Sequence, residues 1–285
     1  MSEKINIICS DKRKLSAIVF PAKGMTKAAI LVACATGMRK EFYASFCEFL
    51  SDNGYSVLCF DFRGVGESAL KSLKEDPTEI IDWGVKDMPA ALDELIKLFP
   101  NTGYHLIGHS AGGQLTGLMY NNDKLTSQFN FASSTGQVSN LSYPFKLKGI
   151  FFLKVFIPLS NVMFGYTKLE LVKMGASIPK RVGSQWSKWC SSTGYVKASI
   201  GKEIKKHYYD KLNHDILWLY AADDTIANAR NVKSMVQLHS KNSNETKEII
   251  PQDNKMKSIG HMGFFKKRNS NLWREALDWL AKYKK

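Results

Sequence analysis

The chain has 285 residues, of which 44% are hydrophobic and 23% are charged. These are the proportions of a globular protein with a sizeable core, and they exclude a largely disordered chain. The net charge of +14 suggests a nucleic-acid partner, but the sequence has no helix-turn-helix, zinc-finger or RNA-binding signature, so we expect none.

The length fits one large α/β domain with an insertion, or two modest domains. The amino-terminal residues 1–14 are polar and charged, without the apolar stretch of a secretory signal. The cysteines are odd in number and never form a C-x-x-C pair, a pattern typical of reduced thiols rather than of disulfides or a metal site. We therefore predict a cytoplasmic protein that needs no metal or other cofactor. The five cysteines are Cys9, Cys34, Cys47, Cys59 and Cys190.

Apolar runs and helical periodicity alternate along most of the chain. In order, the predicted strands are 5–10, 15–20, 28–35, 55–60, 104–107, 128–133, 216–221 and 246–250. The predicted helices are 40–51, 78–98, 113–120, 229–238 and 271–283. Such alternation predicts a doubly wound α/β fold, with a mostly parallel sheet and helices on both faces.

Residues 108–112 read Gly-His-Ser-Ala-Gly, between a predicted strand and a predicted helix. This is the G-x-S-x-G pattern of a nucleophile elbow in its required strand-turn-helix setting. The turn is sharp, so the residues two before and two after the serine must be small, and Gly108 and Gly112 meet that demand. The sequence therefore predicts that Ser110 is a nucleophile exposed above the sheet edge.

The alternation stops after residue 133 and resumes at residue 214. A structureless loop of that length is implausible, so we interpret residues 134–213 as a helical cap segment and residues 1–133 and 214–285 as the core. Within the cap, the run 150–166 is strongly apolar, but Lys154 and Pro158 interrupt it short of the roughly 18 residues of a membrane span. We expect a helical hairpin folded over the sheet edge.

The cap segment carries most of the net charge. It contains 13 Lys and Arg against three carboxylates, a net charge of +10 out of +14. One interpretation is a solvated lysine surface that confers solubility. The other is a cap that attracts an anionic or amphiphilic substrate, or the surface of an anionic membrane.

A serine nucleophile needs a base, and the base needs an acid that orients it. In doubly wound hydrolases these residues follow in the order Ser, acid, His, each after a strand. Asp224 and His261 occupy those positions behind Ser110. The neighbouring Asp223 is interpreted as a turn or capping residue.

Ester cleavage also needs two backbone N–H donors for the oxyanion. We predict that Ala111, directly after the nucleophile, supplies one of them. Met38, in the loop after strand 28–35, is the candidate for the other.

Five segments together resemble the α/β-hydrolase superfamily, and more closely a bacterial group of predicted α/β hydrolases related to the serine aminopeptidase and monoacylglycerol lipase branch. They are residues 35–37 with 41–43, 60–68, 108–114, 185–190 and 260–265. The resemblance implies the α/β-hydrolase fold and a catalytic triad of Ser110, Asp224 and His261. The sequence departs from the family at Thr36-Gly37, which replaces the more widespread His-Gly of the oxyanion loop. Within the cap, we expect three side chains to pack in its interior or to line the substrate pocket: Trp186, Trp189 and Cys190.

The leading hypothesis is a lipase-like serine esterase that cleaves an ester or thioester of an apolar acyl group through an acyl-enzyme intermediate. Three alternatives remain: an aminopeptidase or acyltransferase on the same fold, a non-catalytic binding module, and a peripheral protein docked on anionic lipid. An aminopeptidase needs carboxylates to bind the substrate ammonium, and the cap has few. The acyl chain, the acyl acceptor and the oligomeric state stay open.

Overall fold

One eight-stranded sheet organises the computed structural model, which describes residues 2–239 and 244–283. Its strands are β1 (Glu3–Ile8), β2 (Lys14–Phe20), β3 (Ala28–Ala33), β4 (Tyr55–Phe60), β5 (Tyr104–His109) and β6 (Ser127–Phe131), followed, after two short strands of the cap, by β9 (Asp215–Ala221) and β10 (Asn244–Ile249). Their spatial order is β1-β2-β4-β3-β5-β6-β9-β10. Only the β1–β2 and β2–β4 pairs are antiparallel among these strands, which confirms the predicted, mostly parallel sheet.

The central strands form because they are continuously apolar. Every residue of β3 and β4 is buried, as expected for strands covered on both faces. The helices are α1 (Ala44–Asp52), α2 (Ile80–Asp82), α3 (Met88–Leu98), α4 (Ala111–Gln114), α5 (Phe145–Phe151), α6 (Ile157–Phe164), α7 (Lys180–Cys190), α8 (Ala229–Val236) and α9 (Arg274–Ala281). Helices α1, α3, α8 and α9 pack against the sheet.

Between β6 and β9 the chain leaves the sheet. This stretch, described throughout, contains α5, α6 and α7 and adds no strand to the eight-stranded sheet. It has a small antiparallel pair of its own, β7 (Tyr166–Thr167) with β8 (Ile178–Pro179). The predicted cap segment, residues 134–213, falls inside it.

The predicted helical hairpin in the cap is wrong. Residues Phe145–Phe164 form a single helix of 20 residues, here called the cap helix. A π-helical turn, Phe152–Phe156, joins α5 to α6 directly before Pro158. The proline ring would clash with the carbonyl four residues earlier in a regular helix, and the wider π turn accommodates it, so the helix continues.

The helix after the elbow is shorter than predicted. It ends at Gln114 and is followed by a 3-10 turn, Thr116–Leu118, instead of running to residue 120. The chain leaving the cap packs here: the Tyr208 N–H donates to the Gly117 carbonyl, 2.6 Å away. A Cβ at Gly117 would lie 2.2 Å from the Tyr209 ring, so this close approach requires glycine.

Candidate active site

The nucleophile elbow has the strained geometry that its sequence predicts. Ser110, between β5 and α4, adopts φ 50° and ψ −114°. A Cβ at Gly108 would lie 2.4 Å from the backbone of Gly113, and one at Gly112 would lie 2.1 Å from the Ala33 carbonyl oxygen. No side chain fits either place, which is why the serine can be held on so sharp a turn.

The structure brings together the three residues predicted as a triad. The Ser110 Oγ lies 3.1 Å from His261 Nε2, and His261 Nδ1 lies 2.8 Å from Asp224 Oδ2. An ionised carboxylate only accepts hydrogen bonds, so Nδ1 carries a proton and Nε2 is free to accept the serine O–H. This is the tautomer that a general base for Ser110 requires.

Backbone amides hold the Asp224 carboxylate in its charged form. Its Oδ1 accepts the N–H groups of Ile226, at 2.8 Å, and Ala227, at 2.9 Å. Burial raises the pKa of Asp224, but His261 and these amides outweigh burial, so its pKa lies below the ordinary value. Burial likewise lowers the pKa of His261, and the Asp224 charge raises it above the ordinary value.

Asp223 is more than the turn residue predicted from sequence. Its carboxylate accepts the backbone N–H groups of Ile259 and Gly260, both at 2.9 Å. These amides directly precede His261. The two adjacent aspartates therefore divide the work, since Asp224 orients the imidazole and Asp223 anchors the loop that carries it.

A hydrogen-bond chain behind the elbow was not predicted. The Ala35 N–H donates to the Tyr43 hydroxyl over 2.9 Å. The Tyr43 hydroxyl in turn donates to His109 Nδ1 over 2.8 Å. His109 Nε2 then donates to the backbone carbonyl of His261 over 3.0 Å. Burial and the nearby His261 lower the pKa of His109 to about 3, so His109 stays neutral when the neighbouring imidazole is charged. The sequence feature that could have indicated this hydrogen-bond chain is His109 itself, a histidine at the end of a buried strand inside the elbow motif.

The oxyanion donors are placed unequally. Ala111 is the first residue of α4, where an amide N–H has no intrahelical acceptor, and it directly follows Ser110. The Met38 N–H instead donates to the Ala35 carbonyl over 3.0 Å, across a turn in which Gly37 has φ +72°. In this conformation the turn uses the Met38 amide, and Met38 stays the predicted second donor.

The cap packs on this same loop. The Ala176 N–H donates to the Gly37 carbonyl over 2.8 Å, and a Cβ at Gly37 would come within 2.9 Å of the Leu169 side chain. Trp189 and Cys190 are buried in the core, whereas Trp186 is half-buried against Phe152. The first two thus take the packing role expected for them.

The other histidines have partners outside the triad. His105 bonds to Ser127, His214 to Gln128, and His239 to the Met235 carbonyl. His207 lies beside Asp210. His261 is accordingly the histidine whose ring bonds to Ser110 among the residues that the structure describes.

Comparisons with known proteins bear on the fold. Residues 24–149 match the family model described as "Serine aminopeptidase, S33". A soluble variant of monoglyceride lipase from Saccharomyces cerevisiae, in complex with a substrate analog, superposes with a TM-score of 0.74 at 14% identity, over 99% of this chain and 95% of the lipase. The chain therefore has the α/β-hydrolase fold.

Two esterases have the same fold as this chain. Pf2001 from Pyrococcus furiosus gives a TM-score of 0.62 at 16% identity, over 100% of this chain and 93% of the esterase. A thermophilic esterase from Thermogutta terrifontis gives 0.61 at 15% identity, over 99% and 100%. Among curated protein sequences, none matches the chain.

Proposed function

We propose that this protein is a serine esterase of the α/β-hydrolase type, which cleaves an ester or thioester of an apolar acyl group. The observation that carries the proposal is the continuous hydrogen-bonded series from Ser110 Oγ through His261 to Asp224. The named activities of the neighbouring folds, monoglyceride lipase and esterase, support ester chemistry. The apolar side chains of the cap suit an acyl chain, and its lysines suit an anionic or amphiphilic substrate.

In the proposed mechanism, Ser110 Oγ attacks the substrate carbonyl while His261 Nε2 accepts the serine proton. The Ala111 N–H stabilises the resulting oxyanion, and the Met38 N–H joins it once the turn releases the Ala35 carbonyl. The intermediate collapses as His261 gives its proton to the leaving alcohol or thiol, which leaves an acyl-Ser110. Water then attacks the acyl group, His261 accepts a water proton, and collapse returns that proton to Ser110 Oγ as the acid departs.

Asp224 stabilises the imidazolium that forms twice in this cycle. The carboxylate is already ionised and held by two amides, so it need not reorganise when His261 becomes charged. Neutral His109, whose ring centre lies 5.5 Å from that of His261, adds no opposing charge. Both features lower the cost of charging the base.

An aminopeptidase is less well supported, although the matched family model bears that description. A substrate ammonium needs a free carboxylate, and each of the three in the cap is engaged. Glu170 accepts hydrogen bonds from Ser177, Glu203 pairs with Lys188, and Asp210 lies beside His207.

The five buried, free cysteines support the proposal that the enzyme works in the reducing cytoplasm.

The test is labelling with a fluorophosphonate probe, which reacts with activated serines. We expect the wild type to be labelled and Ser110→Ala to be unlabelled. Ser133→Ala is the matched control, because Ser133 is a buried serine after β6, near the same sheet edge, and it should be labelled like the wild type. A folded wild type that resists labelling would contradict the proposal and favour a non-catalytic binding module.

Labelled protein can then be assayed on p-nitrophenyl esters of increasing chain length and on aminoacyl p-nitroanilides. We expect turnover of the esters, with a preference for longer acyl chains, and none of the anilides. Faster turnover of the anilides would replace the esterase proposal with an aminopeptidase.

A further inference from the structure

The cap helix is apolar on its exposed side as well as on its buried side. In a soluble protein, an amphipathic helix turns its apolar stripe towards the core. Here an apolar stripe also faces solvent: Val162 is 82% exposed and Phe151 is 59% exposed. The other large apolar side chains exposed on this helix are Leu147, Ile150, Val155, Leu159 and Met163.

The two uncharged polar side chains of the same helix, Ser160 and Asn161, are buried and hydrogen-bonded. The Ser160 hydroxyl donates to the Tyr166 carbonyl and accepts the Lys168 N–H. The Asn161 amide donates to the Lys180 carbonyl, and its oxygen accepts the Thr167 hydroxyl at 2.7 Å. These bonds attach the helix to β7 and α7, so the orientation that exposes the apolar stripe is specified by the fold.

The charges around the stripe indicate what covers it. Residues 134–169 contain four lysines and no Asp or Glu. Lys146 and Lys148 lie near the start of the cap helix, Lys154 at its middle, and Lys168 just beyond its end, with its ammonium 4.7 Å from the Phe164 ring centre. Apolar side chains inserted among acyl chains, with lysines beside lipid headgroups, match the surface of an anionic membrane.

The helix is suited to lie in the plane of the membrane. By length and composition alone it could cross a membrane. However, Leu153 and Ile157 on its other side are buried, and the Leu153 carbonyl accepts the Ser187 hydroxyl of α7. A spanning helix would have to give up these contacts, whereas an interfacial helix keeps them.

We propose that the cap helix, Phe145–Phe164, docks this protein on an anionic lipid membrane, with its apolar stripe in the acyl-chain boundary and its lysines at the headgroups. The proposal goes beyond the proposed esterase activity and does not depend on it.

The test is co-sedimentation of the full chain with vesicles, using Ser110→Ala throughout so that no lipid is hydrolysed. We expect binding to vesicles of phosphatidylcholine with phosphatidylglycerol, much weaker binding to phosphatidylcholine alone, and a decrease as NaCl is raised. Because binding is measured without turnover, it succeeds or fails independently of the fluorophosphonate labelling.

Two pairs of variants assign the binding to the cap helix. The double variant Phe151→Ser/Val162→Ser should weaken binding at least tenfold, since each substitution removes a large apolar side chain that would be buried in the membrane. The control Met25→Ser alters a side chain that is 90% exposed outside the cap and should bind unchanged. Lys148→Gln should weaken binding about fivefold, whereas the exposed Lys124→Gln, in the core, should not.

Circular dichroism checks that the variants are folded, as expected for exposed positions. Wild-type affinity of folded Phe151→Ser/Val162→Ser, or an equal loss in Met25→Ser, would overturn the proposal. So would the absence of binding to anionic vesicles. A dimer in light scattering that this double variant dissociates, without vesicle binding, would assign the stripe to a second copy of the chain instead.

Discussion

Removing the Tyr43 hydroxyl tests the hydrogen-bond chain behind the elbow. Tyr43→Phe keeps the ring and its packing, but it leaves the Ala35 N–H and His109 Nδ1 without their partner. Tyr43 and His109 are almost completely buried, and Ala35 is buried as well, so water cannot replace the hydroxyl. Each buried unsatisfied group costs about 1–3 kcal/mol, so we expect a loss of about 2–6 kcal/mol in the free energy of unfolding.

Denaturation by urea, followed by tryptophan fluorescence, measures this loss, and thermal melting should show a Tm lower by at least about 4 °C. Tyr104→Phe is the matched control, because its half-buried hydroxyl makes one bond, to the Phe99 carbonyl. That variant should lose only about 0.5–1.5 kcal/mol. We also expect kcat of Tyr43→Phe on p-nitrophenyl esters to fall by about 10- to 100-fold, because small displacements of catalytic groups are costly.

The explanation would be refuted if Tyr43→Phe were no less stable than Tyr104→Phe. Unchanged stability would mean that the two buried groups find other partners. A stability loss with unchanged kcat would show that the chain supports the fold without positioning His261.

Three further predictions concern the site and the core. Asp224→Asn should lower kcat by about 10⁴-fold. Activity needs neutral His261, so it rises as the pH passes the pKa of His261, and Asp224 raises that pKa. The acid limb of the pH–rate profile of Asp224→Asn should therefore move to lower pH, and an unmoved limb would contradict this role of Asp224. Gly112→Ala should yield insoluble or strongly destabilised protein, because its Cβ would lie 2.1 Å from the Ala33 carbonyl oxygen. The control Gly103→Ala, whose Cβ would have its nearest contact at 3.6 Å, should melt near the wild-type temperature. Equal melting temperatures of the two variants would disprove the steric argument. All five cysteines are free and buried, so a thiol reagent should react slowly with native protein and with five thiols in denaturant, and rapid native reaction of several thiols would contradict this packing.

Features encoded by nearby residues were predicted well from the sequence. The apolar run that becomes β3 and the alternation of strands and helices depend on local periodicity. The elbow depends on glycines two positions from Ser110, and its steric demand is met within five residues. Ser110, Asp224 and His261 follow β5, β9 and β10 in that chain order. The strand pattern and the elbow are encoded by neighbouring positions, so they can be predicted without knowledge of the folded chain, whereas the triad was predicted from the order of its residues along the chain.

Tertiary structure decided what depends on contacts between distant positions. Tyr43 meets His109, 66 residues away, and Asp223 binds the amide of Ile259, 36 residues away; no local pattern encodes either pairing. The amide of Met38 is taken by the Ala35 carbonyl in a turn whose Gly37 carbonyl is bound by the cap. The cap helix continues past Pro158, with a π turn at Phe152–Phe156 that accommodates the proline. Composition predicted an apolar, basic cap, but only packing determined which of its faces meets solvent.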